Sequence, residues 1–170
     1  MEEPLSILTG TFKQQFKAEV KTFCNETSLI LKPEYILPAV QMLAEQFKFS
    51  ILIDITAVDY WPILNPRMHL IYQFYSLEEN QLLRLRVPLA DKELQVESIT
   101  PVFSGANWYE REVYDMFGVD FAHHPDLRRI IMPFEWVGHP LRKDYPLGYE
   151  EVQFTFNFDE IDVRKPHGVE

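Results

Sequence analysis

Two consecutive stretches constrain the fold most. In "RMHLIYQFY" (67–75), Met68, Leu70, Tyr72 and Phe74 share one face of an extended chain. In "QLLRLRVPL" (81–89), Leu83, Leu85 and Val87 alternate with Arg84 and Arg86, and Pro88 predicts the strand's end. One apolar and one wet face is the pattern of antiparallel strands packed on a core from one side. "SILIDITAVDY" (50–60) precedes them, apolar and β-branched at most positions, as expected of a buried strand. Helices must cover the apolar face. "PEYILPAVQMLAEQFKF" supplies one, with Ile36, Val40, Leu43 and Phe47 in a stripe and Pro38 tolerable only within the first turn. Further helices are predicted over 1–22, around "FKQQFKAEVKTF", and over 91–103; "SLILK" (28–32) predicts a strand. The fold class is α+β: helices packed on a mainly antiparallel sheet, with a long irregular C-terminal extension. Residues 1–118 read as the α+β domain, including a helix at 107–117. Residues 119–170 read as an extended docking region and tail.

Composition narrows the function classes. A net charge of −10 with no basic stripe argues against a nucleic-acid partner. A single cysteine, Cys24, can form no internal disulfide and cannot hold an iron–sulfur cluster. No apolar run approaches the ~18 residues of a membrane span, so no direct span is expected. From about residue 118 prolines and glycines replace periodicity, and a stretch of this kind in a compact domain is usually functional or held by a partner.

Three stretches carry chemistry. In "NWYEREVYDMFG", Asn107 reads as an N-cap and Gly118 as a stop. Tyr109, Val113, Met116 and Phe117 share a face with Trp108 at its edge, placing Glu110, Arg111 and Asp115 on the opposite, solvated side, where Arg111 and Asp115 can pair. Against that stands a reading of Glu110 or Glu112 as a catalytic carboxylate. In "HHPDLRRI", His123, His124 and Asp126 are candidate zinc or iron ligands of a stand-alone hydrolase. Adjacent histidines in a strand point to opposite faces, however, which leaves packing, capping and hydrogen bonding as the alternative. Arg128 and Arg129 are available to carboxylates of this chain or a neighbour. In "GHPLRKDYPLGYEE", Arg142, Lys143 and Asp144 between Pro140 and Pro146 read as a rigid docking loop, since prolines lower the ordering cost of binding. "EVQFTFNF" (151–158) puts Val152, Phe154, Phe156 and Phe158 on one face of a predicted strand.

"EREVYDMFGVDFAHHPDLRRII" (110–131) resembles the signature of the C-subunit family of respiratory NADH:quinone oxidoreductase, complex I. "HPLRKDYPL" (139–147) is similar to the family's second hallmark, and "DITAVDY" (54–60) to a weaker one. The resemblance implies a structural subunit of the peripheral arm with no catalytic, cofactor or metal residues of its own. FMN, iron–sulfur clusters and quinone would belong to partner subunits. Those partners would be chiefly the D subunit, which holds the quinone site, and also the B and I subunits, on the cytoplasmic face of the bacterial inner membrane. The expected partner interface is Glu110, Arg111, Glu112, Asp115, His124, Arg128, Arg129, Trp136, His139, Arg142, Lys143, Asp144 and Tyr145.

Overall fold

The computed structural model describes residues 3–24 and 26–146, together with residues 159, 163 and 164. The predicted strand at 151–158 lies outside the described residues.

The elements are α1 (Glu3–Phe16), β1 (Glu19–Phe23), β2 (Glu26–Ile30), α2 (Ile36–Glu45), β3 (Ile51–Asp59), β4 (Met68–Ser76), β5 (Gln81–Leu89), β6 (Gln95–Glu97), α3 (Ala106–Phe117) and β7 (Asp120–Ala122). Five strands form a sheet in the order β1-β2-β5-β4-β3, antiparallel except for the β2–β5 pair. The architecture is α+β, as the alternation implies. Met68, Leu70, Tyr72 and Phe74 meet Leu83, Leu85 and Val87 on one buried face. Leu8, Phe12 and Phe16 of α1 and Ile36, Val40 and Leu43 of α2 complete the core. Pro38 sits at the third position of α2, where its missing N–H has no intrahelical partner to lose. Pro88 stays within β5: Arg86 accepts from the Leu31 N–H, so the same edge two residues on faces the side that β2 has already left.

Besides Pro88, which lies inside β5 rather than ending it, four expectations need correction. The predicted helix over 1–22 ends at Phe16; Lys17 is left-handed (φ 54°) and β1 follows, formed by the β-prone Val20, Thr22 and Phe23. The predicted helix over 91–103 is absent. There β6 pairs in parallel with β7, and the Ser98 N–H bonds to the Ala122 carbonyl, so non-local partners override local pattern. β3 is an edge strand rather than a buried one, with a register shift between Leu52 and Asp54 and with Ile51, Ile53 and Val58 exposed. The N-cap of α3 is Gly105, not Asn107, although Gly118 ends the helix as expected, left-handed at φ 72°.

Gly118 also sits against the chain that passes over it. A Cβ there would lie 2.4 Å from Arg142 Nη2 and 2.5 Å from the His139 ring. Gly118→Ala is expected to destabilise by at least about 1 kcal/mol from left-handed strain alone, and by more because both side chains must move. Urea denaturation reads this as a lower midpoint at unchanged m.

Candidate functional site: a stitched C-terminal loop around α3

Helix α3 is buried on nearly every side, including the side read as solvated. Glu110 and Asp115 are fully enclosed, and Arg111 is 8 % exposed. The reason is that two irregular segments close over that side, and each needs an acceptor for its backbone N–H groups.

Asp115 serves the segment after β7. Its Oδ2 accepts from the N–H groups of Ile130, Ile131 and Met132 at 3.1, 2.8 and 2.9 Å. Its Oδ1 accepts from Arg129 Nη1 at 2.6 Å. Burial works to raise its pKa, but these donors together hold it below the usual carboxylate value. Arg129 also donates to the Gly138 carbonyl, and His139 Nδ1 donates to the Asp115 carbonyl at 2.9 Å. The expected Arg111–Asp115 pair does not form. Arg111 donates instead to the Arg128 carbonyl and stacks over Trp108 at 5.2 Å. Arg142 donates to the Phe117 carbonyl at 2.6 Å, and Tyr145 N–H to the Arg142 carbonyl.

A second stitch ties the end of the loop to the sheet. Arg67, 2 % exposed, donates to Asp59 at 3.1 and 3.0 Å, to Asp91 at 2.7 Å and to Asp144 at 2.7 Å. Asp59 also accepts from the Lys143 N–H at 2.9 Å. The hydrogen bonds to Asp59 raise the Arg67 pKa above its already high value. Burial works to raise that of Asp59, and Arg67 with the Lys143 and Trp61 amides overcomes it and lowers it. Sequence reasoning found Lys143 and Asp144 but missed Asp59, Arg67 and Asp91. One signal was present: Asp59 shares strand parity with the buried Ile55 and Ala57.

The remaining candidates divide between floor and rim. Glu110 accepts from Ser98 Oγ at 2.6 Å and from the Ile99 N–H at 2.8 Å, deep in the molecule. The His124 side chain is buried beside it, whereas Glu112 is exposed. Arg128 is exposed and pairs with Asp126. Trp136 is half-buried. His123, in a left-handed conformation, reaches Glu97 at the surface. Among the described residues no group of His, Cys, Asp or Glu side chains is arranged to hold a metal ion. The two histidines turn to different partners, which removes the geometric basis of the hydrolase reading. The outer surface of the loop is apolar: Ile131 is 56 %, Phe134 89 %, Val137 51 % and Leu141 53 % exposed, and Trp108 of α3 63 %.

Fold and site together define an α+β protein in which buried charged groups tie the 128–146 loop to α3 and to the sheet. Residues 29–151 match the family model of the respiratory-chain NADH dehydrogenase 30 kDa subunit. The chain is 44 % identical over 129 residues to the C subunit of NADH-quinone oxidoreductase from Geotalea uraniireducens, covering 76 % of this chain and 78 % of that one. It is 46 % identical over 133 residues to NADH-ubiquinone oxidoreductase subunit 9 of Prototheca wickerhamii, covering 76 % and 68 %. In fold it is similar to a trypsin-resistant fragment (1–134) of Nqo5, with a TM-score of 0.64 and 24 % identity, covering 73 % of this chain and 99 % of that one. The chain belongs to the 30 kDa subunit family of respiratory-chain NADH dehydrogenase, whose members include the C subunits of NADH-quinone oxidoreductase, complex I. No helix of the described residues is long and apolar enough to cross a membrane.

Proposed function

We propose that the chain is a structural subunit of the peripheral arm of a proton-pumping NADH:quinone oxidoreductase. It docks on the D subunit, which holds the quinone site, close to the B and I subunits, and supports electron transfer from NADH to quinone without a cofactor of its own. FMN, iron–sulfur clusters and quinone sit in the partners. The protein is peripheral, held by those partners at the cytoplasmic face of the inner membrane. One observation carries the docking reading. The 128–146 loop is fixed from beneath by Asp115 and Arg67, while Phe134, Ile131, Val137 and Leu141 point outward. Large apolar groups held rigid at a surface bind with little ordering cost, and such patches mark interaction sites. The family membership supports the choice of partners.

Affinity purification of the tagged chain from membranes tests this. Co-purification of the other subunits with NADH:quinone activity is expected. A chain recovered alone, with the complex assembled without it, would overturn the reading.

A further inference from the structure

We propose that Glu110, enclosed by α3, the 97–100 turn, the 122–126 segment and β4, is a proton-linked latch that sets how readily those segments open beside Trp108. The proposal concerns the chain's own opening and does not depend on which subunits it docks against.

Glu110 is fully buried, and its two oxygens are held by the Ser98 hydroxyl and the Ile99 amide. Ser98 Oγ is shared in turn with Thr100 Oγ1 at 2.8 Å. Every donor bonded to the carboxylate is neutral. From β4, Tyr72 is the group electrostatically coupled to it, and its buried hydroxyl makes no hydrogen bond among the described residues. From the 122–126 segment, His124 Nε2 lies 3.8 Å from Glu110 Oε2, beyond hydrogen-bond length, and 3.2 Å from the Asn107 carbonyl. His124 Nδ1 accepts the Asp126 N–H at 3.0 Å, so the ring proton sits on Nε2, and charging the ring would forfeit that bond. Burial lowers the His124 pKa further. Within α3, Arg111 is turned away toward the Arg128 carbonyl. Among the described residues an ionised Glu110 therefore has no paired cation, and burial raises its pKa from 4.5 to about 7.

Glu110 keeps its proton more tightly enclosed than hydrated. Any opening that wets it releases a proton between about pH 4.5 and 7, so opening becomes easier as pH rises. Opening that also wets His124 takes up a proton below about pH 6.5 and pulls the other way. The ratio of wild type to Glu110→Gln cancels that contribution. Glutamine fits the same bonds, accepting from the Ile99 amide and donating to Ser98 Oγ.

Hydrogen exchange of the Ile99, Thr100 and Asp126 amides in the full chain, corrected for intrinsic rates, measures the opening constants. Between pH 5 and 8 the ratio of wild-type to Glu110→Gln constants is expected to rise roughly 70-fold. Glu112→Gln, on the exposed face of the same helix, should keep the wild-type profile. A flat ratio would overturn the proposal. Should the Gln variant fail to fold, a ¹³C carboxyl titration of the wild-type chain decides: a Glu110 midpoint near neutrality upholds the latch, and one near 4.5 removes it.

Discussion

Asp115→Ala is expected to be among the most damaging single changes in this chain. The variant leaves three backbone N–H groups without their acceptor and strips the Arg129 guanidinium of its carboxylate, leaving it only backbone carbonyls, all beneath the loop that carries Phe134. Breaking a buried, hydrogen-bonded charge by removing one partner costs about 3–5 kcal/mol, against a typical total stability of about 5–15 kcal/mol. The expected damage is directional: residues 128–141 detach before the sheet melts. Limited trypsinolysis reads this directly, because Arg128 and Arg129 then become cleavable while β4 and β5 remain protected. Asp115→Asn keeps an acceptor oxygen and loses the charge, so it should fall between. Because the folded pKa of Asp115 lies below its ordinary value of 3.8, its stabilisation is full above that value and is lost as pH falls through the folded one. The variant should therefore be least distinguishable from wild type in acid. A loop that stays protected in Asp115→Ala would mean that packing alone holds it.

Arg67→Ala is expected to rival it by a different route. Arg67 answers Asp59, Asp91 and Asp144, and the Asp59 side chain is at least as buried as that of Arg67. Truncation strands the Asp59 carboxylate in the interior, again about 3–5 kcal/mol, and releases the strap at Lys143 and Asp144. Arg67→Lys should recover only part of the loss, since an ammonium keeps the charge but cannot match the forked guanidinium on three carboxylates. The denaturation midpoints should rank wild type, then lysine, then alanine. Equal midpoints for lysine and wild type would show that net charge, not bidentate geometry, holds the strap.

How legible each part was depended on whether its cause is local. β4, β5 and α2 follow from side-chain periods of two and 3.6, which a sequence displays directly. The end of α3 follows from Gly118, where the left-handed turn and the close passage of His139 and Arg142 leave no room for a Cβ. The 91–103 segment departs from the helical reading because β6 is fixed by β7 and the turn after it by Glu110, both distant in sequence. The same limit explains the candidate site. Glu110, Arg111 and Asp115 lie where helical spacing places a solvated face. They are buried because loop backbone amides and carbonyls need partners there, and a sequence does not show which loop will pass. Asp59 and Arg67 escaped notice for a related reason, since only the folded chain brings Asp144 beside them.

In the proposed docking, buried charge fixes the 128–146 loop and its outer apolar side chains join this protein to its complex. The most direct measurement replaces only those outer groups. In a strain whose sole copy carries Trp108→Ala with Phe134→Ala, membrane NADH:quinone activity and the amount of assembled complex are quantified beside the thermal transition of the purified chain. Truncating buried aromatic anchors costs an interface about 2 kcal/mol or more each. The expected result is loss of most assembled complex with an unchanged thermal transition. Assembly and activity at the wild-type level, with the chain folded, would show that this surface does not dock.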